Sequence, residues 1–161
     1  MGVRNCGELG LNLQKIYSRL LSNDNLINLL FYTDEDPLAR EPLTATQKQN
    51  LFNDLVCMVP DVGSREDSKS VIAIYVPKAQ RLGNKEFKQT NIIIDVFVPL
   101  THWIIKDSNL RPFAIMGEIQ NSLDEKSVNG LGKMEGGDFE LFLLTNEMSG
   151  YRVFYSITEY D

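Results

Sequence analysis

A change from strand-like to helix-like spacing within residues 91–123 constrains the fold of this chain more than any other feature. Residues 91–98 are a β-rich apolar run that ends at Pro99, which predicts a strand. A linker follows, and Arg111-Pro112-Phe113 then opens an amphipathic segment, in which the proline is well placed for the first turn of a helix. A strand that feeds such a helix predicts a helical layer packed back on a sheet. The apolar stripe of this helix consists of Ile115, Met116, Ile119 and Leu123.

The other segments complete an order of helices followed by strands. Helical spacing of apolar residues predicts helices over residues 13–21 and 26–31, and residues 22–25 supply capping chemistry for the second of them. Thr44 with Gln47 matches a capping box that predicts a third, short helix. Residues 71–76, closed by Pro77, predict a strand that pairs with residues 91–98 in a long hairpin. A second hairpin is predicted for residues 138–145 and 151–158. Turns are expected before it at Gly130, Gly132, Gly136 and Gly137.

These elements predict one domain over residues 1–161, because a chain of this length is ordinary for a single domain. The fold class is α+β, with a mainly antiparallel sheet and a long β-hairpin packed against two or three helices. Residues 1–10 are expected to form a flexible N-terminal segment. Residues 78–90 are expected to form a projecting hairpin arm, because this connection is longer than a tight hairpin needs.

The hairpin arm is basic in an otherwise acidic chain. It contains Lys78, Arg81, Lys85 and Lys88 against the single acid Glu86. Docking on an acidic neighbouring subunit and contact with nucleic acid are both open functions for such an arm. A solvated, charged hairpin that protects against aggregation explains the same composition. The four basic residues are the candidate interface of this chain.

Asp95 interrupts the apolar strand of residues 91–98. An unpaired buried carboxylate is costly, so its side chain is expected on an exposed face. Pairing with a basic residue of a neighbouring subunit is the alternative, which makes Asp95 a second candidate interface residue.

Residues suited to catalysis or metal binding are few. His102 is the only histidine, and its place directly after a strand is more typical of packing or exposure than of catalysis. With Cys6 and Cys57 as the only cysteines, four nitrogen and sulfur ligands for zinc are not available within one chain. The acidic residues 34–36 lack the ligand spacing of an EF-hand and predict a solvated loop. We therefore expect no catalytic residue, no metal, no cofactor and no enzymatic activity.

The charge balance and the termini bear on partners and location. With 16 basic and 22 acidic residues, the formal net charge of −6 does not favour a protein that binds phosphate backbones. The first residues lack the apolar core of a signal peptide, and no apolar run approaches the roughly 18 residues of a membrane-spanning helix. We expect a protein that is made and kept in a cytoplasm and has no membrane partner. Two isolated cysteines fit a reducing compartment.

Five segments share the order and character of one family of proteins. They are residues 13–38, 93–100, 111–119, 130–132 and 137–141, and the stretch Arg111-Pro112-Phe113-Ala114-Ile115-Met116-Gly117-Glu118-Ile119 carries the similarity best. In these segments the chain resembles the neck and tail-terminator proteins of tailed bacteriophages. The resemblance spans most of the chain and contains no catalytic signature.

The resemblance implies a virion structural protein that joins the head connector to the tail. Such proteins form a ring, commonly of six subunits, through whose lumen double-stranded DNA passes without sequence-specific binding. The implied partners are further copies of the chain and the neighbouring connector, adaptor and tail proteins, with the long hairpin available for contacts. The implied location is the neck or tail end of the virion, after assembly in the host cytoplasm. The negative net charge fits, since an acidic lumen would repel DNA and let it slide.

Two other functions stay open on the sequence alone. A head-completion or connector-adaptor protein of the same assembly would differ mainly in position, although such adaptors are often more helical. A small enzyme or regulatory binding module would need a concave polar pocket with converging ionisable groups.

Overall fold

The computed structural model describes residues 9–51, 54–58, 69–81, 87–124, 132–145 and 147–160. Within them the α-helices are α1 (Leu9–Leu21), α2 (Asp24–Phe31), α3 (Ala45–Asn50) and α4 (Arg111–Leu123). The strands are β1 (Val56–Cys57), β2 (Val71–Arg81), β3 (Phe87–Pro99), β4 (Ile104–Ile105), β5 (Asn109–Leu110), β6 (Met134–Leu143) and β7 (Met148–Tyr160).

The long strands form one five-stranded sheet in the order β1-β2-β3-β7-β6. β1 runs parallel to β2, and the other neighbouring pairs of this sheet are antiparallel. β4 and β5 form a separate two-stranded sheet. The predicted α+β class is confirmed, with a mainly antiparallel sheet and a long hairpin made by β2 and β3.

One face of the sheet packs against α1, α2 and α4, and the main core lies between them. Alternate residues of a strand point to the same side of a sheet, so every second residue of β3 enters this core. The stripe predicted on α4 is buried as expected, with each side chain at most 4% exposed. The core residues of β3 are Ile92, Ile94, Val96 and Val98.

The opposite face, which we call the open face, carries a second and smaller apolar cluster that includes Phe97. Gly150 on β7 lies between Phe97 and Phe142 in the ladder. A Cβ atom at Gly150 would collide with the carbonyl oxygen of Val96, so only glycine fits there. The two phenylalanine rings meet edge to face at this position, with centroids 5.5 Å apart.

The predicted end of a strand at Pro77 is wrong. β2 continues to Arg81, and its register with β3 shifts between Tyr75 and Lys78. Proline is tolerated at such a bulge when the strand lies at a sheet edge, because it has no N–H to donate. Among the described residues, β1 is the only strand beyond β2, and it does not extend past Ala73.

The predicted turns at Gly136 and Gly137 are wrong as well. Both residues lie inside β6, where the register with β7 shifts between Gly136 and Asp138. Their φ angles of +130° and +96° are readily adopted only by glycine, so the pair builds a bulge.

Near the N-terminus, α1 begins at Leu9, so the last two residues of the predicted flexible segment, residues 1–10, are helical. Residues 1–8 and Gly130 lie outside the described residues.

Helix α2 begins at a side-chain cap, as expected from its sequence. Asn23 accepts a hydrogen bond from the backbone N–H of Leu26 at 3.1 Å. Its amide nitrogen also donates to the carboxylate of Glu118 and to the hydroxyl of Ser122, both at 2.9 Å. The cap therefore ties the start of α2 to α4. The capping box of Thr44 and Gln47 is also present.

Arg111, the first residue of α4, is buried and joins separate parts of the chain. Its guanidinium donates hydrogen bonds of 2.6–2.8 Å to four backbone carbonyl oxygens. The last carbonyls of a helix have no partner inside it, and Arg111 supplies one at the end of α2. Burial lowers the pKa of Arg111, which nevertheless stays charged at neutral pH. The acceptors belong to Leu29, Tyr32, Asp34 and His102.

We expect Arg111→Met to lower the free energy of unfolding by about 3 kcal/mol or more, since each buried acceptor left unpaired costs about 1–3 kcal/mol. Arg40→Met is the control, because Arg40 is exposed and its ion pair with Asp34 lies at the surface; its loss should stay within about 1 kcal/mol. Urea unfolding followed by circular dichroism measures both values. Equal losses in the two variants would contradict the role of Arg111.

Candidate functional site

The predicted hairpin arm is only partly described. Lys78 is exposed on β2, and Arg81 lies opposite Lys88 in the ladder between β2 and β3. Lys85 lies outside the described residues. The arm is also wider than predicted, because β7 runs beside β3 as far as the pair of Phe87 and Tyr160.

The structure corrects the prediction of an exposed Asp95. Its side chain lies on the open face and the residue is only 1% exposed. Arg152 donates to both carboxylate oxygens, from Nε at 2.8 Å and from Nη2 at 3.1 Å, and the hydroxyl of Tyr75 donates at 2.7 Å. Because both oxygens of the Asp95 carboxylate already accept hydrogen bonds within the chain, this carboxylate offers little attraction to a basic residue of a neighbouring subunit.

The pKa values of Tyr75 and Arg152 are both raised in this network. Burial, followed by the hydrogen bond to Asp95, raises the pKa of Tyr75 to about 12. The same carboxylate raises the pKa of Arg152. The Arg152 guanidinium also lies 4.5 Å from the centre of the Phe142 ring, within the range of a cation–π contact. This network thus links the three central strands of the sheet through Asp95, Arg152 and Tyr75. Structural pairing accounts for these contacts, and they require no role in proton transfer.

A groove of about 400 Å³ crosses the open face beside this network. Ile93 and Phe154 lie opposite each other in the ladder and form its apolar part. Glu135 and Asp138 are the acidic residues among those that line it, and both are exposed on β6. The groove therefore combines apolar walls with negative charge at the β6 side.

An exposed apolar surface lies at the edge of the sheet beside α4. This surface, which we call the β6 ridge, consists of Phe113, Phe139, Leu141 and Leu143, which are 41–72% exposed. The rings of Phe113 and Phe139 contact each other and Tyr151, with centroids 5.1–6.2 Å apart. Among the described residues no strand pairs with the outer side of β6. Apolar side chains along an open edge strand are typical of an interaction surface.

The residues considered for catalysis and metal binding do not converge. His102 lies in a short 3₁₀ turn, half-buried, and its backbone carbonyl accepts a hydrogen bond from Arg111. In the acidic loop, Asp34 pairs with Arg40 and Asp36 with Lys106. Within the described ranges, no group of three or more His, Cys, Asp and Glu residues could hold a metal ion. In those same ranges, no helix has the length and apolar character needed to cross a membrane.

The β6 ridge and the buried position of Arg111 were not predicted from the sequence. Phe113 offered a signal, because this large aromatic residue lies off the buried stripe of α4. Phe139, Leu141 and Leu143 alternate along β6, which indicates a buried face, yet they are exposed because β6 is an edge strand. Strand order is not visible in a local pattern of residues.

We expect Arg152→Met to lower the free energy of unfolding by about 3–5 kcal/mol, because it leaves the buried Asp95 carboxylate without its cation. Adding Asp95→Leu should recover part of the loss, since the uncompensated buried charge is then removed as well. Urea unfolding of the two single variants and the double variant forms the cycle. Additive losses would contradict a coupled network.

The model of the protein family named YomW matches residues 23–157 of the chain. YomW is the name of a gene product of a Bacillus phage, so the match indicates a phage-associated protein. Comparison with curated proteins finds no match. The matched residues run from the cap of α2 almost to the end of β7 and cover well over half of the sequence. This chain therefore belongs to the YomW family.

Proposed function

We propose that this chain is a virion structural protein of a tailed phage. Copies of it form a ring, of six or more subunits, at the neck or the tail end of the particle. The ring joins the head connector to the tail and lets double-stranded DNA pass through its lumen. The role is non-enzymatic, and the partners are further copies and the neighbouring connector, adaptor and tail proteins. Assembly takes place in the host cytoplasm.

The β6 ridge is the observation that carries this proposal. An exposed apolar ridge along a strand that lies at the edge of the described sheet is a liability for a free monomer, and contact with another subunit removes it. Fully burying one leucine or phenylalanine side chain stabilises a contact by about 1.5–3 kcal/mol. Burial of several such side chains in the ridge would therefore contribute substantially to the free energy of association between subunits.

Two further observations support a place in the phage particle. The match to the YomW family indicates phage association. The formal net charge of −6 suits a subunit whose lumen must not retain DNA, since acidic surfaces repel phosphates. A lumen lined mainly with lysine and arginine would contradict this second point.

We expect Leu141→Lys to weaken self-association by about tenfold or more, because a charge would replace an apolar contact of about 1.4 kcal/mol or more. Leu141 is 57% exposed, so the fold should be retained. Leu11→Lys is the matched control, because Leu11 is 60% exposed on α1, away from the ridge. Sedimentation velocity over a concentration series measures association of both variants and the parent chain. Equal association of all three would contradict the ridge as a subunit contact.

Cryo-electron microscopy of the particle tests the position of the ring. Density for this chain as a ring between the head connector and the tail supports the proposal. Density in the layer directly attached to the connector would instead identify an adaptor of the same assembly. A strictly monomeric protein that is absent from purified particles would contradict the proposed function.

A further inference from the structure

The sheet has opposite charges at its two long edges. One row of paired residues crosses the sheet, and it consists of Lys78 on β2, Asn91 on β3, Ser156 on β7 and Glu135 on β6. Three strand spacings separate the ends of the row, which corresponds to about 14 Å. The row therefore begins with a cation and ends with a carboxylate.

The acidic end of this row is accessible. Glu135 and Asp138 are exposed and line the groove on the open face, and no basic residue is among the described residues that line it. No ion pair between described residues involves either carboxylate. The groove also contains Ile93 and Phe154, so a long cationic side chain could lay its aliphatic stem on apolar surface while its charge meets the acids.

The basic end is accessible as well. Lys78, Ala79 and Gln80 are all exposed, so both faces of β2 are open to solvent there. In the described part of the chain, no strand pairs with this edge beyond Ala73. Pro77 has no N–H, so a neighbour would be held at this edge mainly by side chains and less by a continued ladder.

We propose that copies of this chain associate head to tail, with the basic β2 edge of one copy docked in the acidic groove beside β6 of the next. The occupant of the groove is thus a second copy of this chain, chosen by complementary charge. The basic edge and the acidic groove are different surfaces, so the contact is heterologous, repeats in one direction and can close into a ring. This inference rests on the proposed function and specifies which two surfaces of neighbouring copies are in contact.

Charge reversal on each edge tests the contact. The arm-reversed variant carries Lys78→Glu, and the groove-reversed variant carries Glu135→Lys with Asp138→Lys. Each variant alone should self-associate about tenfold more weakly or worse, because like charges would face each other across the contact. An equimolar mixture should recover association, since an acidic arm then meets a basic groove and a basic arm meets an acidic groove. The recovery should diminish as the salt concentration rises.

Lys15→Glu with Arg40→Glu is the control for net charge. Both side chains are exposed, and they lie on α1 and on the loop after α2, away from the two edges. This variant should associate like the parent chain. Circular dichroism of every variant verifies that the fold is retained, and sedimentation velocity measures association.

The outcomes separate this inference from the proposed function. The head-to-tail contact is wrong if the parent chain associates and each reversed variant alone associates equally well. It is also wrong if the equimolar mixture of the two variants does not regain association. In both cases the ring proposal stands. If the parent chain neither associates nor occurs in particles, both are wrong. If the parent chain assembles only in particles, the two variants are produced singly and together in infected cells. Incorporation that requires both variants supports the contact, and incorporation of either alone overturns it.

Discussion

The buried guanidinium of Arg111 holds the helical layer of this protein together. It lies where the chain leaves the small β4–β5 sheet and enters α4, and its hydrogen bonds end on the carbonyls that close α2. A cation is favourable at the C-terminal end of a helix, and the planar guanidinium can serve several acceptors at once. Asn23 ties the other end of α2 to α4. With α2 fastened at both ends, the helices cover one face of the sheet as a unit and leave the open face and the β6 edge outside that layer.

The open face depends on a second charged network. The carboxylate of Asp95 receives Arg152 from one neighbouring strand and Tyr75 from the other, so β2, β3 and β7 are linked by side chains as well as by their ladders. Placing a charge in the middle of a sheet is tolerable only when its partners are also in place. A sheet linked in this way is a suitable wall for a subunit that must keep its shape under contact with neighbours.

The two edges of the sheet differ in a way that suits directional assembly. β6 offers apolar side chains on the side of α4 and carboxylates on the open face, whereas the far half of β2 offers basic residues. Identical edges would favour a two-fold dimer, while different and complementary edges favour a repeating contact. The proposed ring and the proposed head-to-tail contact both follow from this asymmetry, and membership of the YomW family adds the association with phage.

The sequence by itself determined the features that depend on near neighbours along the chain. The stripe of α4, the caps of α2 and α3 and the two hairpins were predictable, because helical spacing, capping and strand alternation are local properties. Only the tertiary structure decided the rest. Pro77 continues a strand because no strand of the described residues pairs with the outer side of β2 at that point. Asp95 is buried because Arg152, 57 residues away, reaches it. The β6 ridge is exposed because strand order places β6 at an edge, and the free energy of a side chain depends on neighbours that sequence distance does not reveal.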